Sequence, residues 1–385
     1  MRFDLFWVLM GRTAYVFAPL YLIPFAYGFA HGDSLAGSFL ALGVLTAILG
    51  MVFGNMGRSH MRQLSVQEGT LFLLAVWFLL ALLGMLPFHL AGLHLSPADT
   101  FFECISALTT TGMTALGESL PPTLLLWRAL MSWFGGLLFV VILVTVLPVV
   151  SGCFGVDFSV RQERLFSPLW NRMTRPMREM TLLYIAITAV AVGIYLMAGD
   201  EIFPALILAL FTISSGAGPM TGGLPPTPAL MLGAGLVALL SALPLLTLWQ
   251  LLHRRSGAML TRHMELRSFF LLFLAAGTLL VIPPLLHGTQ PFAQALGYSF
   301  FYAISFLSTN GLVLQEEVPF HSGSTLLLIL LAVIGGCMGS AAGGFRISRL
   351  LVLISLAWTE LLRTLHPRMV FAVRQGGEVV PLHSA

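Results

Sequence analysis

The stretch Phe101-Phe-Glu-Cys-Ile-Ser-Ala-Leu-Thr-Thr-Thr-Gly112 decides the fold, because a short apolar segment ends there in a polar turn with a glycine. Only about ten apolar or aromatic residues precede the turn, whereas a helix needs roughly 20 to cross a bilayer. Two later segments repeat this pattern, Ile213-Ser-Ser-Gly-Ala-Gly218 and Leu307-Ser-Thr-Asn-Gly311. Non-helical backbone is tolerated at membrane depth only where it lines a protein cavity or a water-filled path, so these three glycine segments predict a pore.

The composition is that of an integral membrane protein. Hydrophobic residues make up 57% of the chain, charged residues only 9%, and the mean hydropathy is +0.92. Soluble domains carry about 25% charged residues. The three cysteines are scattered, and their spacing indicates neither a disulfide framework nor a metal site. Eight stretches have the length and apolar content of membrane spans: Thr13–Phe29, Ala36–Phe53, Gly69–Leu90, Leu124–Val150, Thr181–Met197, Ala229–Leu252, Ser268–Leu286 and Ser324–Trp358.

The charges between these spans indicate their orientation. Arginines follow the second, fourth, sixth and eighth spans, whereas the alternate connections carry acidic residues. By the positive-inside rule both termini are cytoplasmic, and all three glycine segments open to the outer face. The acidic residues there are either ordinary solvated groups or a collective charge that concentrates cations at a pore mouth. They are Asp33, Asp99, Glu103, Glu118, Asp200, Glu201, Glu316 and Glu317.

Glu103 differs from the other acidic residues because it falls within the first short helix, which we place at residues 98–108. Its carboxylate is either buried in support of the following turn or exposed at the mouth. Arg128 lies at the outer end of its span. We predict that Arg128 pairs with a buried carboxylate such as Glu103 and does not contact ions.

The glycine segments have the chemistry of a cation filter. Backbone carbonyls can replace the hydration shell of a bare monovalent cation, and glycine permits positive φ and close approach of the backbone. The negative end of each short helix would point at the same site. The alternative is that each glycine only ends a buried helix. The candidate filter residues are Thr110, Thr111, Gly112, Ser215, Gly216, Gly218, Asn310 and Gly311.

Several motifs, taken together, are similar to those of one transporter family. Beside the first glycine segment stand Trp133-Phe-Gly-Gly-Leu-Leu138 and the glycine-rich run Ile334-Gly-Gly-Cys-Met-Gly-Ser-Ala-Ala-Gly-Gly-Phe-Arg346. The segment His366-Pro-Arg-Met-Val370 resembles the connector that follows that run in the family. With these motifs the chain resembles the TrkH/KtrB/HKT superfamily of potassium transporters, and its bacterial TrkH branch in particular.

This resemblance implies the architecture and the partners. The family implies four helix–pore-loop–helix repeats around a central pore. The spans counted in this chain give an all-α integral membrane protein with two N-terminal spans and three such repeats, which amounts to eight spans and three re-entrant half-helices. The resemblance also implies a homodimer in the lipid bilayer, a cytoplasmic nucleotide-binding regulatory subunit of the TrkA/KtrA type, and K+ as the transported ion, bound by filter carbonyls without another cofactor. The expected divisions are residues 1–63 for the extra spans, 64–155 and 156–255 for the first two repeats, and 256–385 for the third repeat, the glycine-rich run and a cytoplasmic tail.

The chain departs from the family pattern in the second glycine segment and after the third repeat. With a one-residue insertion, Gly218 is the second filter glycine, and Gly216 is the next choice; without the insertion, Ala217 takes that place. A fourth repeat is expected but no further apolar run follows Trp358. We therefore consider a fragment or truncated product, a second polypeptide that supplies the last repeat, and a relative that no longer conducts.

The glycine-rich run would interrupt the eighth span, since each glycine costs a helix about 1 kcal/mol relative to alanine. It either allows close helix packing through small residues or, as the resemblance implies, forms a flexible gate loop beneath the filter. Arg346 and Arg349 follow it, as an electrostatic barrier or as side chains that reach the cytoplasmic surface. The candidate gate residues are Gly335, Gly336, Gly339, Ser340, Gly343 and Gly344.

These observations favour potassium uptake across a bacterial inner membrane, by the ion-translocating subunit of a Trk-type system. The alternatives are a truncated or non-conducting membrane subunit that needs a second polypeptide, and a small-solute transporter with broken helices. The sequence contains no nucleophile–base arrangement and no phosphate-binding loop, so we expect no enzymatic activity. The arginines cluster in loops between spans, and we expect no nucleic-acid partner.

Overall fold

The computed structural model describes residues 4–57, 66–93, 95–115, 120–145, 170–216, 223–245, 247–249, 264–288, 291–315, 322–365, 374–375 and 378–379. These residues form helices α1 (Asp4–Phe17), a 3-10 turn (Ala18–Tyr21), α2 (Leu22–His31), α3 (Ala36–Met56), α4 (Val66–Gly84), α5 (Leu86–Leu90), α6 (Pro97–Leu108), α7 (Pro122–Thr145), α8 (Trp170–Met197), α9 (Ile202–Ser214), α10 (Pro228–Ala242), α11 (Met264–Leu286), α12 (Phe292–Leu307), α13 (Ser322–Ile334) and α14 (Ile347–Leu365). Strands β1 (Arg374–Gln375) and β2 (Glu378–Val379) pair antiparallel and are the exception to the predicted all-α fold.

Six helical stretches of the described chain are long and apolar enough to cross a membrane, and they correspond to six of the eight predicted spans. The other two predicted spans, residues 229–252 and 324–358, are not continuous helices. They begin with shorter apolar helices, α10 and α13. The six stretches are Leu5–His31, Ala36–Met56, Glu68–Leu90, Pro122–Ile142, Met177–Met197 and Met264–Leu286.

Local chemistry explains both breaks. Leu243 precedes Pro244 and has φ −81° and ψ 147°, because the proline ring disfavours helical backbone in the preceding residue. The helix α13 ends at Ile334, where Gly335 has φ 73°. A glycine reaches this left-handed conformation without steric penalty. Each of these two stretches is therefore interrupted by a break and does not form one continuous helix.

One compact unit comprises Met1–Phe154, Arg161–Arg178 and Phe203–Thr221. In its core, buried aromatic residues connect the N-terminal segment from α1 to α3 to the helices α4 and α7. The ring of Tyr21 lies 4.3 Å from that of Trp127. The Tyr21 hydroxyl donates to the carbonyl of Leu83 (2.8 Å), and the Trp127 indole donates to that of Gly84 (2.9 Å). These bonds satisfy carbonyls that the end of α4 would otherwise leave without partners.

The second unit comprises Gly155–Val160, Glu179–Ile202 and Gly222–Ala385. Its centre is α12, which packs against α10, α11 and α13. Gly277 of α11 faces the ring of Phe300, and a Cβ at Gly277 would lie only 2.6 Å from that ring. The helix before the third glycine segment is therefore in contact with three other helices of this unit.

The helices α1 and α3 approach each other so closely that glycine is required. A Cβ at Gly11 would fall against the backbone of Gly50 and Gly54, whereas a Cβ at Gly54 would meet nothing within 4 Å. Small residues of this kind let helix backbones pack closely within membranes. Gly11 and Gly54 both lie where α1 meets α3, but only Gly11 of the two has no room for a side chain.

We expect Gly11→Ala to lower the melting temperature of the purified protein by several degrees, because overpacking costs about 1–3 kcal/mol. The matched control is Gly54→Ala, whose new methyl group would point into open space. Melting is measured by intrinsic fluorescence of both variants in the same detergent. Equal melting temperatures would contradict the close approach of α1 and α3.

Candidate ion-binding site

The first glycine segment begins with a Schellman helix end on α6. The amide of Thr111 donates to the carbonyl of Ser106 (2.9 Å), and that of Thr110 to the carbonyl of Ala107 (3.0 Å). Thr110 has φ 55° and Gly112 has φ 76°. This bond pair satisfies carbonyls at the end of the helix and turns the chain sharply. The turn therefore lies where the sequence predicts it, immediately before Gly112.

The third glycine segment has the same geometry on α12. The amide of Asn310 donates to the carbonyl of Ser305 (3.0 Å), and that of Thr309 to the carbonyl of Phe306 (3.0 Å). Thr309 has φ 55° and Gly311 has φ 64°. The position of each residue relative to its glycine is the same as in the first segment. The two predicted repeats are therefore alike in their hydrogen bonds as well as in sequence.

A serine fixes the chain beyond the glycine in both segments. The Ser106 hydroxyl donates to the carbonyl of Met113 (2.6 Å), and the Ser305 hydroxyl to that of Leu312 (2.7 Å). Each serine stands six residues before its glycine, and we did not include either among the candidate site residues. Aligning the first and third segments on their glycines would have revealed the pair, since the serine is shared.

The second glycine segment turns in the same way as far as the structure describes it. The amide of Ser215 donates to the carbonyl of Thr212 (3.2 Å), and that of Gly216 to Phe211 (3.1 Å); Ser215 has φ 54°. Ser215 is thus equivalent to Thr110 and Thr309 in the other two segments.

This register bears on the choice of the second filter residue. Gly216 takes the position of Thr111 and Asn310, so residue 217 follows it as the counterpart of Gly112 unless the chain carries an insertion. Residues 217–222, which include Gly218, lie outside the described residues. The assignment of Gly218 or Ala217 therefore stays a prediction.

Helix α7 packs tightly against the first two glycine segments. A Cβ at Gly135 would overlap the carbonyl oxygen of Leu108, the last residue of α6. A Cβ at Gly216 would overlap the Ser132 hydroxyl, which lies 2.9 Å from the hydroxyl of Ser214. Ser132 and Gly135 of α7 thus contact the ends of both short helices.

The predicted pairing of Glu103 with Arg128 is confirmed. The two side chains form an ion pair and are 0% and 1% exposed, respectively. Glu103 also accepts hydrogen bonds from the Thr114 hydroxyl and the Ala115 amide (both 3.0 Å), while Arg128 donates to the carbonyl of Met113 (3.2 Å). This buried pair therefore holds the three residues that follow Gly112, and Glu103 has the supporting position.

The other acidic residues of the predicted outer face have separate local surroundings. Asp33 accepts from the Leu35 amide and the Thr123 hydroxyl, and Asp99 accepts from the Ser96 hydroxyl at the start of α6. Asp200 is half-buried, and this desolvation raises the pKa of its carboxyl, whereas Glu201 is exposed. Glu118, Glu316 and Glu317 lie outside the described residues.

Asn310 is buried, at 1% exposure, and its side chain is directed by two serines. Its amide group donates to the Ser241 hydroxyl of α10 (2.9 Å) and to the Ser308 hydroxyl (3.0 Å). Its carbonyl oxygen Oδ1 has no hydrogen-bond partner among the residues that the structure describes. After Gly311 the chain pairs with another segment, since the amide of Leu224 donates to the carbonyl of Val313 (2.8 Å).

The glycine-rich run forms a compact loop, residues 335–346, whose two ends are joined by backbone hydrogen bonds. The amides of Phe345 and Arg346 donate to the carbonyls of Val333 and Ile334 (2.8 and 2.7 Å). The backbone of Gly335 passes so close to Gly343 and Gly344 that no Cβ would fit there. This glycine-rich loop contains all six candidate gate residues and is held by backbone hydrogen bonds.

None of the described His, Cys, Asp and Glu side chains gathers into a group of three or more that could hold a metal ion. Of the three cysteines, Cys104 and Cys337 are buried free thiols, and Cys153 lies outside the described part of the chain. The oxygen-rich turns at the ends of α6, α9 and α12 are therefore the strongest candidates for contact with an ion.

Comparisons with known proteins agree with these features. The TrkH family, described as cation transport protein, matches residues 37–200. The chain is 30% identical over 332 residues to the Trk system potassium uptake protein TrkG of Escherichia coli strain K12, covering 83% of this chain and 67% of that protein. It is 26% identical over 393 residues to the Trk system potassium uptake protein TrkH of Salmonella typhimurium, covering 99% of this chain and 81% of that protein.

A solved structure is similar over the same length. The crystal structure of the potassium transporter TrkH from Vibrio parahaemolyticus matches with a TM-score of 0.87 and 25% sequence identity, covering 99% of this chain and 80% of that chain. Sequence and structure thus give the same relatives. The chain belongs to the TrkH family of cation transport proteins, which are ion transporters and not enzymes.

Proposed function

We propose that this chain takes up potassium ions as the ion-translocating subunit of a Trk-type system in the bacterial inner membrane. The observation that carries the proposal is the identical helix end before Gly112 and Gly311, in a chain whose relatives are named potassium uptake proteins. That similarity extends over 99% of the chain, which favours uptake over a non-conducting subunit.

The geometry of the segments suits a dehydrated cation. The backbone at Gly112 and Gly311 has positive φ, so the carbonyl groups on either side of each glycine can turn toward a bound cation. The C-terminal ends of α6 and α12 carry partial negative charge, which favours a cation at the turn. The filter on this proposal consists of Thr110, Thr111, Gly112, Ser215, Gly216, Gly218, Asn310 and Gly311.

The proposed architecture has eight membrane crossings and both termini in the cytoplasm. The helices α6, α9 and α12 are the three re-entrant half-helices, since each is shorter than a bilayer requires. The broken stretches that begin with α10 and α13 would supply the two crossings beyond the six long helices. The repeats then occupy residues 64–155, 156–255 and 256–385, after two extra spans in residues 1–63.

The relatives are named as parts of a Trk system, so this chain works with other subunits. We propose a homodimer and a cytoplasmic nucleotide-binding subunit of the TrkA/KtrA type, as the family resemblance implies. Potassium is the transported ion on this proposal and is held by filter carbonyls. The glycine-rich loop acts as the gate beneath the filter.

We expect Gly112→Ala to lower potassium uptake by more than about tenfold. A side chain in left-handed backbone costs about 1–2 kcal/mol, and the added methyl group would disturb the carbonyls that replace the hydration shell. Uptake is measured as growth at low potassium, and as rubidium influx, in cells that lack their own potassium uptake systems.

The matched control for this variant is Gly92→Ala. Gly92 has a similar φ of 67° and nothing within 4 Å of its Cβ position, but it precedes α6. Strain alone would reduce uptake equally in both variants. Undiminished uptake by Gly112→Ala, with uptake by the unaltered chain in the same cells, would reject Gly112 as a filter residue.

The buried ion pair gives a separate test of how the first segment is supported. We expect Arg128→Met to destabilise the protein by about 3–5 kcal/mol, because it leaves a buried carboxylate without its partner. The double variant Glu103→Gln/Arg128→Met should recover part of this loss, since no unpaired charge remains. Melting temperature and rubidium influx are measured for each variant.

Glu201→Gln is the control for the Glu103→Gln change, since Glu201 is exposed. It should leave both measurements near those of the unaltered chain. If the double variant is no more stable than Arg128→Met, the two charges do not stabilise each other and the supporting role assigned to the pair is wrong.

A further inference from the structure

Glu265 contacts the glycine-rich loop from outside it. The residue lies in the first turn of α11 and is half-buried. Its Oε1 accepts a hydrogen bond from the amide of Met338 (2.6 Å). Met338 is in the middle of the loop, where no helical carbonyl is available, so a side chain from another helix satisfies its amide.

Other groups of the loop and of its exit gather around the same carboxylate. Arg346, at the end of the loop, interacts electrostatically with Glu265. The amide and hydroxyl of Ser348, in the first turn of α14, also lie beside the carboxylate, although the hydroxyl has no partner in hydrogen-bonding geometry within the described residues. The carboxylate thus joins the middle of the loop to its exit.

Thr309 contacts the loop from the side of the third glycine segment. Its hydroxyl oxygen accepts a hydrogen bond from the amide of Gly343 (2.7 Å). Thr309 is the left-handed residue of the helix end on α12, two positions before Gly311. The same residue therefore takes part in a candidate filter turn and in the position of the loop.

Backbone bonds to the break after α10 complete these attachments. The amide of Cys337 donates to the carbonyl of Ala242 (3.2 Å), and the amide of Leu245 donates to that of Gly339 (3.1 Å). The loop is thus attached to α10, to α11 and to the third glycine segment. The attachments through Glu265 and Thr309 use side chains, so these two can be removed by substitution without altering the backbone.

We infer that Glu265 and Thr309 are positioning residues that hold the glycine-rich loop closed by accepting the amides of Met338 and Gly343. The inference rests on the proposed role of this loop as the gate. Opening the loop breaks both bonds, so their loss shifts the equilibrium toward the open form. A hydrogen bond to a charged group shifts such an equilibrium on the order of tenfold, and a bond to a neutral hydroxyl by less.

A purely structural role for Glu265 makes a different prediction. A carboxylate in the first turn also stabilises a helix through the helix dipole. Its loss on that account would lower the stability of α11 and leave the loop where it is. A readout located in the loop separates the two roles.

Cys337 provides this readout because its side chain is 0% exposed and lies within the loop. In a Cys104→Ser/Cys153→Ser background it is the single thiol. We expect Glu265→Met, which removes the acceptor, to raise the rate of Cys337 labelling by N-ethylmaleimide on the order of tenfold, and Thr309→Val to raise it severalfold. Glu265→Asp should keep part of the closed state, and the double variant should label faster than either single variant.

Rubidium flux through the full chain in membrane vesicles is the second measurement, and it should rise in the same order as labelling. Glu360→Met and Thr364→Val on α14 are matched controls, since both residues are exposed and outside the loop. Labelling of Glu265→Met and of Thr309→Val at the rate of these controls would overturn the inference. If Glu265→Met does not fold, Thr309→Val alone decides it. Faster labelling without flux in any variant would support the attachments and count against the proposed function instead.

Discussion

Backbone hydrogen bonding at membrane depth is the constraint on which the rest of the structure depends. A chain that turns within the bilayer leaves amides and carbonyls without water, and each unsatisfied group costs several kcal/mol. The helix ends at Thr110, Ser215 and Thr309 satisfy this constraint by the same pair of bonds to the preceding turn. The turns can therefore lie inside the protein, where a connecting loop normally could not.

The surrounding side chains extend this solution to the residues that follow each turn. Ser106 and Ser305 each donate to a carbonyl one residue beyond the glycine. In the first segment the Glu103–Arg128 pair adds three further bonds. In the third segment, a backbone hydrogen bond from Leu224 to Val313 holds the residues after Gly311 instead. Equivalent turns are thus supported by different chemistry, which explains why the motif recurs while its surroundings vary.

The sequence predicted the features that depend on local pattern. Apolar length predicted eight spans, and six of them are long continuous helices. The polar turns before Gly112 and Gly311 marked the ends of the short helices, and opposite charge suggested the pairing of Glu103 with Arg128. It did not identify contacts between segments far apart in the chain. Nothing in the residues around Glu265 indicates that its carboxylate meets Met338, because that contact depends on how α11 packs beside the loop.

Glycine has two opposite consequences for the backbone of the glycine-rich loop. Many glycines predict a flexible segment, since glycine loses more conformational freedom on folding than any other residue. Here glycine also has the opposite role, because at Gly335 it permits a backbone crossing that no Cβ would allow. That crossing lets the amides of Phe345 and Arg346 bond to the end of α13. The same residues that could make the loop mobile thus allow it to be held closed. A segment with this balance can change state when few hydrogen bonds are lost. On the proposed role of the loop as the gate, its attachments to Glu265 and Thr309 determine how often it opens.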